Sequence, residues 1–116
     1  LCDRRQRQMC IRDRDEIVHA AKILADKAAD GEISPEDITE ETFGANLYTR
    51  DVPDVDLLIR PSGELRISNF LIWQSAYAEF YFTEEYWPDF TGESLYRAIV
   101  EYQARERRFG KTSEQL

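Results

Sequence analysis

The stretch DLLIRPSGELRISNFLIWQSAYAEFYFTEEYWPD, residues 56–89, decides how this 116-residue chain is read. Leu57, Leu58 and Ile59 form a continuous apolar run, the pattern of a strand covered on both faces. The run leads into Arg60 and a turn made of Pro61, Ser62 and Gly63. Glu64, Arg66, Ser68 and Asn69 follow in close succession, all polar. A long apolar and aromatic run comes next, with a single carboxylate, Glu79, set inside it. Two arginines flanking a glycine turn suit a doubly charged oxyanion, because guanidinium forks match its oxygens in pairs.

Outside that stretch the composition is that of a globular domain, with 42% hydrophobic and 12% aromatic residues. No apolar run approaches the ~18–20 residues a membrane span needs. The candidate in residues 70–82 is broken by Gln74, Ser75 and Glu79. The N-terminal stretch is charged and lacks the apolar core of a secretory signal, so a cytoplasmic location is expected. Net charge is −8 but uneven: residues 1–14 carry +3 and residues 15–116 carry −11. An acidic body argues against nucleic acid as a partner, which asks for a basic face. It also gives weight to any arginine cluster, since an anion here needs a local positive site. Cys2 and Cys10 fit no zinc spacing, and neither is expected to have a role.

Residues 1–14, LCDRRQRQMCIRDR, show neither helical nor strand periodicity and are expected to be a disordered basic stretch. From Asp15 the pattern turns helical, with Ile17, Ala21, Leu24 and Ala28 on one face and Gly31 as the C-terminal cap. His19 is expected to be an exposed residue of that helix. Ser34 and Pro35 signal another helix start, and Thr39 a short helix carrying Phe43 and Leu47. Residues 50–55 read as a loop. Phe70, Trp73 and Tyr77 have the spacing of a buried helix over residues 69–76, and residues 80–82 read as a second strand. Strand, helix and strand in that order predict a right-handed parallel crossover. Residues 86–90 form an aromatic corner, and Thr91 caps a last helix with Leu95, Ala98, Ile99 and Tyr102. Residues 105–108 suit the C-terminal end of that helix.

Arg60 follows the carboxyl end of its strand, where open α/β sheets place ligands. Gly63 lets the backbone turn closely. Arg66 and Ser68 are two apart, so an extended segment turns them the same way. Arg60, Arg66 and Ser68 therefore offer two guanidinium forks and a hydroxyl, suited to a diphosphate. The same arginines could equally pair with Glu64 and nearby aspartates as a structural network. Glu79, among Tyr77, Phe80 and Tyr81, is costly unless it is paired or bound to a metal such as magnesium.

These residues carry a family resemblance. Residues 56–60 (DLLIR), Ser62, Gly63, Glu64, residues 66–70 (RISNF), Trp73, Gln74, Ala76, Tyr77, Glu79, Phe80, Phe82 and residues 87–90 (WPDF) stand in the order of the C-terminal part of the cis-prenyltransferases. The resemblance covers roughly residues 14–110. It implies an α/β fold with a mostly parallel sheet and surrounding helices, of which residues 15–116 form the C-terminal part. It implies homodimers that condense isopentenyl diphosphate with an allylic diphosphate such as farnesyl diphosphate. They require Mg²⁺ and supply the lipid carrier precursor for cell-wall synthesis. The lipid product would bring such an enzyme to a membrane surface peripherally. By position, Arg60, Arg66 and Ser68 would hold the isopentenyl diphosphate group, Asn69 and Glu64 would support it, and Glu79 would bind magnesium. Arg108 and Gly110 would lie near the dimer partner's site. If the two strands run parallel, Glu79 and Arg60 fall at opposite ends of the sheet. Glu79 would then serve a site formed with a second subunit, unless the preceding helix runs further.

The resemblance also has gaps. The family's first half, with its Asp-Gly-Asn-Gly-Arg-type motif and catalytic aspartate, has no counterpart here, so no catalytic residue is assigned. Pro61 stands where the family usually has threonine. The chain by itself is therefore expected to be inactive. The alternatives are a non-catalytic accessory subunit and a simple diphosphate-binding α/β module.

Overall fold

The computed structural model describes residues 13–115. The expected disorder of residues 1–14 and both cysteines thus lie outside the described residues, apart from Asp13 and Arg14. The chain divides into two compact units, one of residues up to Pro53 with Ser68–Trp73, the other of Asp54–Ile67 with Gln74 onward.

In the first unit, α1 (Asp13–Ala29) begins two residues before the expected start. It closes as the capping glycine predicts: the Gly31 N–H donates to the Ala28 carbonyl (3.2 Å) and the Glu32 N–H to that of Lys27 (3.0 Å). The buried stripe is Glu16, Ala20 and Leu24. The expected face is met in part: Leu24 is buried and Ala28 half-buried, but the stripe is shared with Glu16 and Ala20. Ala21 is exposed and Ile17 half-buried. The cause is polar: Glu16 is wholly buried, and its carboxylate accepts the Tyr48 N–H at 2.7 Å. His19 is exposed, as expected, and stacks on Tyr48. Ser34 opens a single 3-10 turn, Pro35–Asp37, with its N–H and hydroxyl both donating to Asp37. Thr39 caps α2 (Glu40–Gly44) through a reciprocal pair with Thr42. Phe43 lies on α2 and packs on Trp73 at 4.6 Å, whereas Leu47 is buried in the turn that follows.

The helix expected over residues 69–76 is absent. Ser68, Asn69 and Leu71 have φ of 55°, 61° and 48°, and residues 72–77 form turns. A right-handed helix excludes such a run of left-handed residues. The spacing of Phe70, Trp73 and Tyr77 is compatible with a helix, but the backbone before them is not.

In the second unit, β1 (Leu57–Arg60) and β2 (Glu79–Phe82) pair in parallel, as expected. Leu57 stands opposite Glu79, and Arg60 opposite Phe82. Both strands are half-buried rather than covered on both faces. Among the described residues the sheet has two strands, so each keeps an open edge. The aromatic corner forms a 3-10 turn, Trp87–Asp89, with Trp87 stacked on Phe90 at 5.8 Å. Thr91 caps α3 (Gly92–Gln103), as the sequence predicts. Its buried residues are Ser94 and Ala98, while Leu95 and Ile99 of the expected face are exposed. Among the described residues no helix is long and apolar enough to cross a membrane.

Candidate functional site

The parallel register gives the strand pair two chemically different ends. At the carboxyl end, Arg60 closes β1 and the chain turns back through Ser62 and Gly63, with φ of 69° at both. Three backbone hydrogen bonds hold this turn against the exit of β2. The Thr83 N–H donates to the Arg60 carbonyl (3.0 Å), the Gly63 N–H to that of Thr83 (2.9 Å) and the Ser62 N–H to that of Glu85 (2.8 Å). The turn amides are therefore occupied by the protein, and any anion here meets side chains. The Arg60 side chain makes no hydrogen bond or ion pair among the described residues, although the residue is half-buried. Arg66 is exposed and paired with Glu64, so part of the predicted structural network does form. Arg60 stays out of it.

Ser68 and Asn69 belong to the first unit. Ser68 is exposed, without a partner among the described residues. Asn69 accepts the Arg14 N–H at 3.1 Å, satisfying one of the donors left open at the start of α1. Four non-glycine residues of the stretch 62–71 have positive φ. Each costs on the order of 1–2 kcal/mol for an ordinary side chain, and such strain gathers at ligand sites.

The amino end is built from the tail. α3 stops at Gln103, so residues 105–108 do not lengthen it as expected but return to the strands. Arg105 donates to the Phe80 carbonyl (2.6 Å), to Glu79 (3.4 Å) and to Glu101. Arg107 donates to Asp56 (2.7 Å), the Tyr102 hydroxyl (3.0 Å) and the Tyr77 carbonyl (2.9 Å), with its guanidinium 4.3 Å from the Phe109 ring centre. Hydrogen bonds, led by Glu101 for Arg105 and by Asp56 for Arg107, raise both guanidinium pKa values further. Arg108 points away, pairing with Glu106 at 3.0 Å. Gly110 has φ of 77°, and a Cβ there would meet Tyr77 at 3.3 Å. The sequence reading missed Arg105 and Arg107 as ties. Their alternation with Glu106 and Arg108 is the period-two signal that could have shown an extended tail.

Glu79 opens β2, opposite Leu57 and three residues from the level of Arg60, a separation of roughly 10 Å along a strand. The geometric concern raised by the sequence is thus correct, and a longer helix does not remove it. The Glu79 carboxylate pairs with Arg105. Among the described residues no group of three or more His, Cys, Asp or Glu could hold a metal ion.

A parallel strand pair accompanied by helices defines an α/β protein. The chain belongs to the prenyltransferase family described as putative undecaprenyl diphosphate synthase, whose profile matches residues 8–110. It is 55% identical over 103 residues to an isoprenyl transferase of Geobacter sulfurreducens, covering 89% of this chain and 42% of that protein. It is 56% identical over 101 residues to a farnesyl-diphosphate-specific ditrans,polycis-undecaprenyl-diphosphate synthase of Vibrio parahaemolyticus, covering 87% and 40%. Among solved structures, it is similar to lavandulyl diphosphate synthase from Lavandula x intermedia in complex with dimethylallyl diphosphate (TM-score 0.80, 44% identity, covering 84% of this chain and 42% of that one). A probable undecaprenyl diphosphate synthase from Campylobacter jejuni gives a TM-score of 0.70 at 40% identity, covering 85% and 43%. The chain thus spans about two-fifths of the length of these relatives.

Proposed function

We propose that this chain supplies the homoallylic-substrate half of a cis-prenyltransferase that condenses isopentenyl diphosphate with an allylic diphosphate such as farnesyl diphosphate. The product would be a cis-polyprenyl diphosphate, precursor of a cell-wall lipid carrier. The observation that carries the reading is Arg60: a half-buried residue whose side chain has no partner among the described residues, at the carboxyl end of a parallel strand, in a chain of net charge −8. A cation left open in so acidic a protein supports an anion site there. Arg66 and the exposed Ser68 hydroxyl would complete the grip on the diphosphate, with Glu64 and Asn69 in support. The reaction needs the homoallylic diphosphate held still while the allylic diphosphate departs. Fixed cations stabilise the phosphate charge without reorganising, and positioning replaces a bimolecular encounter.

Glu79 would contribute one magnesium carboxylate in the whole enzyme, with the other ligands coming from beyond the described residues. Arg108 and Gly110 would face a second copy of the chain in a homodimer. The working location would be the cytoplasm, with peripheral contact to the membrane through the lipid product. Isopentenyl diphosphate titrated into the chain by calorimetry tests the reading: binding is expected, and Arg60→Ala should weaken it by about 10- to 100-fold. Unchanged binding in that variant would sink the proposal. Binding of isopentenyl diphosphate that ignores the allylic substrate would favour a simple diphosphate-binding module. The chain alone is expected to transfer no prenyl group, and Mg²⁺-dependent transfer by it would overturn that expectation.

A further inference from the structure

The Arg60 turn does not hold its own shape. Its central residues, Ser62 and Gly63, both sit at φ of 69°, a conformation that serine does not favour. What keeps them there is the segment leaving β2. Thr83 both donates to Arg60 and accepts from Gly63, and the Glu85 carbonyl accepts from Ser62. That segment is itself fastened. The Glu85 N–H donates to the Thr83 hydroxyl at 3.2 Å, which folds residues 83–85 into a fixed loop. The Glu85 carboxylate accepts the Ser94 hydroxyl at 2.6 Å and lies 3.7 Å from Arg97. Ser94 is 3% exposed and also accepts the Thr91 N–H, so it is locked into the cap of α3.

We infer that Glu85 is a positioning residue for the diphosphate site: by tying its own backbone to α3 through Ser94, it holds the Ser62–Gly63 turn and aims Arg60. This rests on the reading of Arg60 as a diphosphate ligand. It runs against simple electrostatics, because a carboxylate near an anion site should weaken binding. Two substitutions separate the effects. Glu85→Gln keeps an oxygen that accepts from Ser94 and removes the charge. Glu85→Ala removes both.

The experiment uses this chain with inorganic pyrophosphate as the probe, measuring affinity by calorimetry and amide hydrogen exchange at Ser62 and Gly63 by NMR. In Glu85→Ala, exchange at both amides should quicken and affinity should fall by about threefold to tenfold, the scale of one net hydrogen bond. In Glu85→Gln, exchange should stay slow and affinity should match or exceed that of the unsubstituted chain. Ser94→Ala, which leaves the charge in place, should follow Glu85→Ala. Affinity that rises or is unchanged in Glu85→Ala overturns the inference and leaves the diphosphate site standing. An unsubstituted chain that binds no pyrophosphate sinks the site and, with it, the inference.

Discussion

The two ends of the strand pair use the same residue type to opposite purposes. At the amino end, Arg105 and Arg107 have their guanidinium groups engaged by Glu79, Glu101, Asp56, two backbone carbonyls and a tyrosine hydroxyl. At the carboxyl end, Arg60 engages nothing among the described residues, and the exposed Arg66 has one carboxylate, that of Glu64. The contrast teaches how to read an arginine in an acidic chain. Carboxylates are abundant here, with twenty-one in residues 15–116, so a paired arginine is the unremarkable outcome and an open one is informative. The arginines that look functional by sequence and those that hold the fold are separated by roughly 10 Å of strand.

The sharpest attempt to break this contrast exchanges the two losses. Arg60→Met should weaken isopentenyl diphosphate binding by about 10- to 100-fold, from the charge-assisted bonds removed, while the thermal midpoint barely moves. Arg107→Met should do the reverse. It forfeits bonds to Asp56, Tyr102 and Tyr77 and leaves the Tyr77 carbonyl to find water, a loss of about 1–3 kcal/mol. Affinity should be unchanged. Thermal melts and calorimetry on both variants check the pattern. Equal stability losses in the two would erase the distinction.

A smaller effect sharpens it. Arg66 is exposed and already shares its charge with Glu64, so its removal should cost less than that of Arg60. Arg66→Ala is expected to weaken binding by roughly threefold to tenfold, the worth of one modest charge-assisted contact. High salt should shrink this loss further while leaving the Arg60 effect larger, since exposed charges are screened and half-buried ones less so. A titration series at rising ionic strength measures both.

Much of this was legible in the sequence wherever the signal was local. Thr39, Thr91 and Gly31 announce their caps within three or four residues, and the structure places each cap there. The continuous run of Leu57, Leu58 and Ile59 gives a strand, and its pairing is parallel as read. The errors share a cause. Both long helices bury a polar residue beside part of the expected face, Glu16 with Leu24 and Ser94 with Ala98, each polar group repaid by a hydrogen bond to a residue outside its own helix. Hydrophobic periodicity cannot register a buried carboxylate whose donor is 32 positions away. The missing helix after Asn69 is a second blind spot: the backbone at Ser68, Asn69 and Leu71 is left-handed, which the spacing of apolar residues does not register. At the site, the residue types and their order were readable. Which arginine stays open was not, because that depends on where each carboxylate lands.

The slightest test concerns Arg108, which belongs to neither regime. It is exposed, and its Nε donates to Glu106, whose carboxylate also accepts the Ser113 hydroxyl at 2.7 Å. The serine first and Arg108 second hold the Glu106 carboxyl below the ordinary glutamate range. A depressed carboxylate stabilises the folded state above its unfolded pKa, and that help is lost as pH falls through the lower folded value. In the chain by itself, NMR titration should find Glu106 still charged just below the ordinary range, with Ser113→Ala moving it upward. If a second copy of the chain takes Arg108 away from Glu106, dimerisation should raise the Glu106 pKa as well, since one of its two donors departs. A Glu106 pKa that stays fixed across a concentration series spanning monomer and dimer would mean that Arg108 keeps its partner. The tail would then belong with Arg105 and Arg107 as scaffold.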